Sequence, residues 1–184
     1  MSPGSPSGPS RLAPVSGNAR NRVPGILYTT VPAPFRLSGA DKRRIREFAR
    51  LLDERVAGGR GFDCLLTGDE ELTRLNRDFL HRDYPTDVLS FPSGAKSGPL
   101  GELAISLERA TAQAREFGHS TVDEVRILLL HGVLHLIGMD HERDRGRMAR
   151  TERKWRAEFD LPENLISRSL PPKMTQGGAL RSTQ

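Results

Sequence analysis

The sequence predicts an α+β domain, in which one mixed sheet is covered by helices. Three observations carry this. Short strand-like runs at 26–31, 62–67, 87–91 and 100–106, the first of them with β-branched and aromatic side chains, alternate with longer segments of helical period. The order is strand, helix, strand, helix, two strands, then helices alone. Finally, residues 121–137 are apolar nearly all round, which marks a helix buried on every side.

The elements follow in order. Residues 1–24 are rich in Pro, Ser and Gly, cannot bury a core, and are expected to be a disordered extension. Residues 1–40 hold no acidic residue, but their Pro and Gly content argues against an amphipathic targeting helix. The foldable domain is expected over 25–162. After its first strand, Ser38 or Asp41 can cap a helix to about Ala57, with Ile45, Phe48, Ala49, Leu51 and Leu52 facing inward. Gly58 and Gly59 stop it. The second strand precedes a short helix that Asp69 would cap, with Leu72, Leu75 and Phe79 inward. Pro85 breaks that pattern, and the third strand closes at Pro92. A loop with Gly94 and Gly98 leads to the fourth strand. A helix over 107–117 ends at Gly118, and Ser120 or Thr121 caps the apolar one. A last amphipathic helix over 143–159 offers Met148, Trp155 and Phe159 to the core. Residues 163–184 are polar and expected to be a flexible tail.

Composition narrows the function classes. The chain has 184 residues and a net charge of +5, which suits a polyanionic partner but says nothing about fold. Its one cysteine, Cys64, excludes an intrachain disulfide and sits in an apolar stretch as a buried thiol. An intracellular compartment fits that cysteine count best. The longest apolar segment, 127–137, is too short to span a membrane and carries two histidines and a glycine. Aromatics are 5% of the chain and scattered, so a grip on single-stranded nucleic acid would be mainly electrostatic.

The chemistry concentrates at residues 131–141. His131 and His135 lie four apart, one helical turn along the same face. Gly138 can end the helix in a left-handed conformation, after which His141 brings a third imidazole. Two imidazoles in an apolar run need partners for their ring nitrogens, and a lone core histidine does not come in threes. Three imidazoles with an open fourth position make a catalytic metal site of the kind zinc occupies, although spacing alone does not choose among divalent ions. Each ligating ring also needs an acceptor behind it. Asp87, Glu102 and Asp140 are candidates, and each is equally at home as an exposed or capping carboxylate. The spacing matches metzincin peptidases, but their general-base Glu is replaced here by Gly132, which removes the proton shuttle.

The segment from His131 to His141 and the run Pro85-Thr-Asp-Val-Leu-Ser-Phe-Pro92, with Leu75-Asn76 before and Gly101-Glu-Leu-Ala-Ile-Ser106 after, resemble the YbeY family of endoribonucleases over roughly residues 26–160. The resemblance implies a four-stranded α+β domain with about five helices and one zinc ion on His131, His135 and His141. It implies metal-dependent cleavage of single-stranded RNA in the cytoplasm, in 16S rRNA 3′-end maturation and ribosome quality control. The implied partners are an rRNA precursor and the small ribosomal subunit, with no DNA and no membrane. The family usually carries an RNA-contacting Arg where this chain has Leu80. Arg82, two residues on, is the candidate substitute, although a helix continuing through Leu80 would point it to a different side. Further basic residues, Arg36, Lys42, Arg43, Arg44 and Arg46 near the first helix and Arg143, Arg145, Arg147, Arg150 and Arg153 near the last, are candidate phosphate contacts or a solvated face. The alternatives are a peptidase of metzincin-like spacing and a non-catalytic, zinc-containing ribosome-assembly factor.

Overall fold

The computed structural model describes residues 23–141 and 143–162. The predicted N-terminal extension and C-terminal tail lie almost wholly outside that range. Among the described residues, four strands and five helices run in the predicted order. They are β1 (Gly25–Tyr28), α1 (Gly39–Arg55), β2 (Asp63–Thr67), α2 (Asp69–Leu80), β3 (Val88–Pro92), β4 (Gly101–Ser106), α3 (Leu107–Phe117), α4 (Thr121–Leu136) and α5 (Arg147–Glu158), with a single 3₁₀ turn at Ala33–Phe35 between β1 and α1. The sheet order is β1-β2-β4-β3. β1 and β2 are parallel, as are β2 and β4, whereas β3 runs antiparallel to β4. β2 is buried at every position because parallel neighbours flank it and helices cover both faces.

The larger core lies between one sheet face and α1, α3 and α4. α2 covers the other face, where Leu72 and Leu75 pack with Leu65, Leu89 and Ala104. Eleven of the sixteen residues of α4 are buried, which makes it the central helix. Cys64 is fully buried on β2, and that burial, with Asp63 beside it, pushes its thiol pKa far up.

Local chemistry sets most of the boundaries. Ser38 and Asp41 form a reciprocal capping box at α1, and Ser106 and Ser120 cap α3 and α4. Two expectations are corrected at α2. Its cap is Gly68, where a Cβ would lie 2.9 Å from Glu108 Oε1, and Asp69 instead accepts the Ser106 hydroxyl at 2.6 Å. Phe79 is 40% exposed and leans on Phe91 at the sheet edge, not into the core. α5 begins four residues later than predicted. Arg145 and Gly146 take left-handed conformations, and the Asp144 carboxylate accepts the backbone N–H groups of Gly146 and Met148.

Candidate metal centre

α4 presents His131 and His135 one turn apart, as their spacing requires. The helix then closes in a Schellman turn. Met139 N–H reaches Leu134 O at 3.0 Å and Gly138 N–H reaches His135 O at 2.9 Å, with Gly138 at φ +91°. The same turn carries Met139 O back to 2.9 Å from His135 Nδ1, and it brings His141 over the helix end. Ring centroids are 4.8 Å apart for His131–His135, 5.7 Å for His131–His141 and 5.2 Å for His135–His141. One nitrogen from each of the three rings lies within 4.8 Å of the others, so the group could hold a metal ion.

The donor set fits such an ion. His131 Nε2 and His135 Nε2 lie 3.1 Å apart, both turned to the same point. Their Nδ1 atoms face acceptors, Glu152 Oε2 at 3.0 Å and the Met139 carbonyl, which leaves the Nε2 lone pairs for coordination. Burial lowers the pKa of His135, and the charges of His131 and His141 lower it further, against the pull of Met139 O and Asp140. The ring is therefore neutral at pH 7, the form that binds a metal.

Glu152 is the residue that sequence reasoning missed. It stands on α5, twenty-one positions from His131, and bonds Arg156 one turn further along. Burial raises its pKa, but His131 and Arg156 lower it more, and the carboxylate is held below its usual range. The acceptors proposed from sequence are placed otherwise. Asp87 lines the cleft but takes the Val88 N–H at 2.8 Å and the Gln113 amide at 3.0 Å. Asp140 lines it too and pairs with Arg143 at 3.7 Å, while Glu102 lies on β4 opposite Phe91, outside the cleft lining.

The three histidines open onto a cleft of about 630 Å³. Leu80 and Arg82 both line it. α2 does continue through Leu80, but His81 then takes a left-handed conformation (φ 56°), and the reversal keeps Arg82 on the cleft wall instead of turning it away. Gly132 is explained by packing. A Cβ there would sit 2.7 and 3.0 Å from the methyls of fully buried Leu103, so this position faces the sheet and has no room for a peptidase's glutamate. Among the described residues, no helix is long and apolar enough to cross a membrane.

The family model described as endoribonuclease YbeY matches residues 40–160. The chain is 63% identical over 137 residues to the endoribonuclease YbeY of Solibacter usitatus, covering 73% of this chain and 91% of that one. The Nautilia profundicola endoribonuclease YbeY is 49% identical over 108 residues, 58% of this chain and 78% of that one. A solution structure from Thermotoga maritima superimposes with a TM-score of 0.51 at 23% identity, over 80% of this chain and 99% of that one, a likeness of fold.

Proposed function

The chain belongs to the YbeY endoribonuclease family, and from that premise we propose that residues 25–162 form a zinc-dependent endoribonuclease domain that cuts single-stranded RNA. One observation carries the reading: three imidazoles converge at the floor of an open cleft, two of them with a ring nitrogen tied back to an acceptor. His131, His135 and His141 would hold one ion. Bound there, it would supply Lewis acidity at a phosphoryl oxygen and a source of hydroxide at neutral pH.

The chain's own residues do the rest. Glu152 fixes the ring plane of His131, and the Met139 carbonyl fixes that of His135, so neither ring needs to reorganise to coordinate. Arg82 offers a guanidinium on the cleft wall for a substrate phosphate. The peptidase alternative loses support at Gly132, whose surroundings exclude a general base. The family membership further supports a cytoplasmic role in 16S rRNA 3′-end maturation and ribosome quality control, with an rRNA precursor on the small subunit as substrate.

The test is cleavage of a single-stranded rRNA-precursor oligonucleotide by zinc-loaded protein, with His135→Ala purified in parallel. We expect the wild type to cut, and the variant and chelator-treated protein to leave the RNA intact. If zinc-loaded wild type fails to cut, catalysis is excluded. Recovery in Leu80→Arg would then trace the loss to that position, and no recovery would leave the assembly-factor alternative.

A further inference from the structure

β3 forms one margin of the sheet, since the order is β1-β2-β4-β3. Along an antiparallel pair, residues alternately exchange backbone hydrogen bonds with the partner strand and turn those groups away from it. The phase here is fixed at both ends. Ser106 N–H donates to Asp87 O at 2.9 Å, and Ser93 N–H donates to Leu100 O at 2.8 Å. With Leu89 opposite Ala104 and Phe91 opposite Glu102, residues 87, 89, 91 and 93 bond to β4. Val88, Ser90 and Pro92 therefore turn their backbone outward, and all three line the cleft that holds the histidines.

The outward groups are few and ordered. The Val88 N–H is taken by Asp87 Oδ1 at 2.8 Å, and Pro92 has no N–H. Among the described residues the Val88 carbonyl, the Ser90 N–H, the Ser90 carbonyl and the Pro92 carbonyl remain, one donor among three acceptors. A peptide added as a further strand needs a ladder of several alternating donors and acceptors, and one donor cannot sustain it. A nucleobase needs only one donor beside one acceptor, which every base presents on its Watson–Crick edge.

We propose that the backbone of Val88 and Ser90 reads the Watson–Crick edge of one unpaired base of the RNA beside the three-histidine group. This rests on the ribonuclease reading above and extends it to the basis of strand selection. A base already paired in a duplex has no free edge to offer, so the contact selects single strands. Because a backbone donor and acceptor can match any of the four bases, it does so with little regard to sequence.

The test is fluorescence anisotropy of the full zinc-loaded chain with a single-stranded 2′-O-methyl oligonucleotide, in which each base in turn is replaced by an abasic site. One position is expected to cost tenfold or more in affinity, as a specific base contact does. At that position a base methylated on its Watson–Crick edge, which still stacks, should cost as much as the abasic site. Ser90→Pro removes the single donor and suits an outward edge position. It should weaken the intact strand about tenfold and no longer distinguish the modified bases. Full affinity for the methylated base would overturn the proposal, as would penalties that multiply with Ser90→Pro. Should Ser90→Pro lack a cooperative melt, the methylated-base series on wild type decides alone. A strand-forming peptide whose binding is lost in Ser90→Pro, with RNA binding unchanged, would overturn the proposal in favour of a protein partner. Cleavage is scored separately on unmodified RNA, so its absence bears on the ribonuclease reading and leaves the base-edge result standing.

Discussion

Replacing Glu152 by Gln removes one negative charge from behind the three-histidine group while nearly preserving its shape. The carboxylate serves two groups at once, taking His131 Nδ1 at 3.0 Å on Oε2 and Arg156 on Oε1. Both partners are shielded, with His131 26% and Arg156 7% exposed in their side chains. Losing the acceptor behind a ligating histidine outright costs about 10–100-fold in metal affinity; the Gln amide keeps one neutral acceptor oxygen for two donors, so we expect the low end, about tenfold or roughly 1.4 kcal/mol. Stability should fall as well. Removing one partner of a buried ion pair costs about 3–5 kcal/mol, and because Gln can still accept a hydrogen bond we expect about 1–3 kcal/mol. Arg156→Met separates the two effects, since it deletes the ion pair and leaves the bond to His131. Zinc affinity would be read by competition with a chromophoric chelator, and stability by thermal melting of the metal-free protein. We expect Glu152→Gln to lose on both readouts and Arg156→Met chiefly on the second. A cooperatively folded Glu152→Gln protein that binds zinc within twofold of wild type would refute the role assigned to this carboxylate.

Gly132→Ala should destabilise the fold by about 1–3 kcal/mol in chemical denaturation, because overpacking against Leu103 outweighs the gain in helix propensity. Asp123 tests the α4 terminus by pH. Burial raises its pKa, but the Ser120 hydroxyl, Arg126 and Arg44 lower it more, so the folded value lies below the unfolded one. Its contribution is therefore complete above the unfolded pKa of about 3.9 and fades as pH falls through the folded value. Asp123→Asn should be the less stable protein at pH 7, and the gap in urea midpoint should close in strong acid. Cys64 should resist thiol reagents in the native protein and react on denaturation, because burial both hides it and keeps it protonated. Fast labelling under native conditions would contradict the packing of β2.

Signals local to the chain were legible and distant ones were not. Ser38 with Asp41, Ser120 and Gly138 announce helix ends because a cap acts within four residues, and the structure uses all three. The convergence of His131, His135 and His141 was legible for the same reason, since a helical turn and a glycine reversal fix it. Glu152 was not, because its partner lies on another helix and only tertiary packing brings the two together. Asp69 had the right type for a cap, but the Ser106 hydroxyl claimed its carboxylate across 37 residues. Phe79 kept the helical period of an inward residue, yet it lies on the last turn of α2, where the helix passes the sheet margin and meets Phe91. The start of α5 moved because two left-handed residues precede it, and no short pattern at 143–146 demands them.

The link between α5 and the histidines has a consequence for the energy landscape. α5 buries few of its own side chains, chiefly Met148 and Arg156, and Glu152 adds a hydrogen bond that ties it to His131 on α4. Segments with few buried contacts open on their own, below the free energy of global unfolding. An ion that selects the closed arrangement stabilises it by mass action, in proportion to the logarithm of its concentration over its dissociation constant. The amides of α5 should therefore act as a gauge of occupancy. In native-state hydrogen exchange they would slow as zinc is titrated in, while amides of β2 and the middle of α4, which open only with the whole domain, would follow global stability.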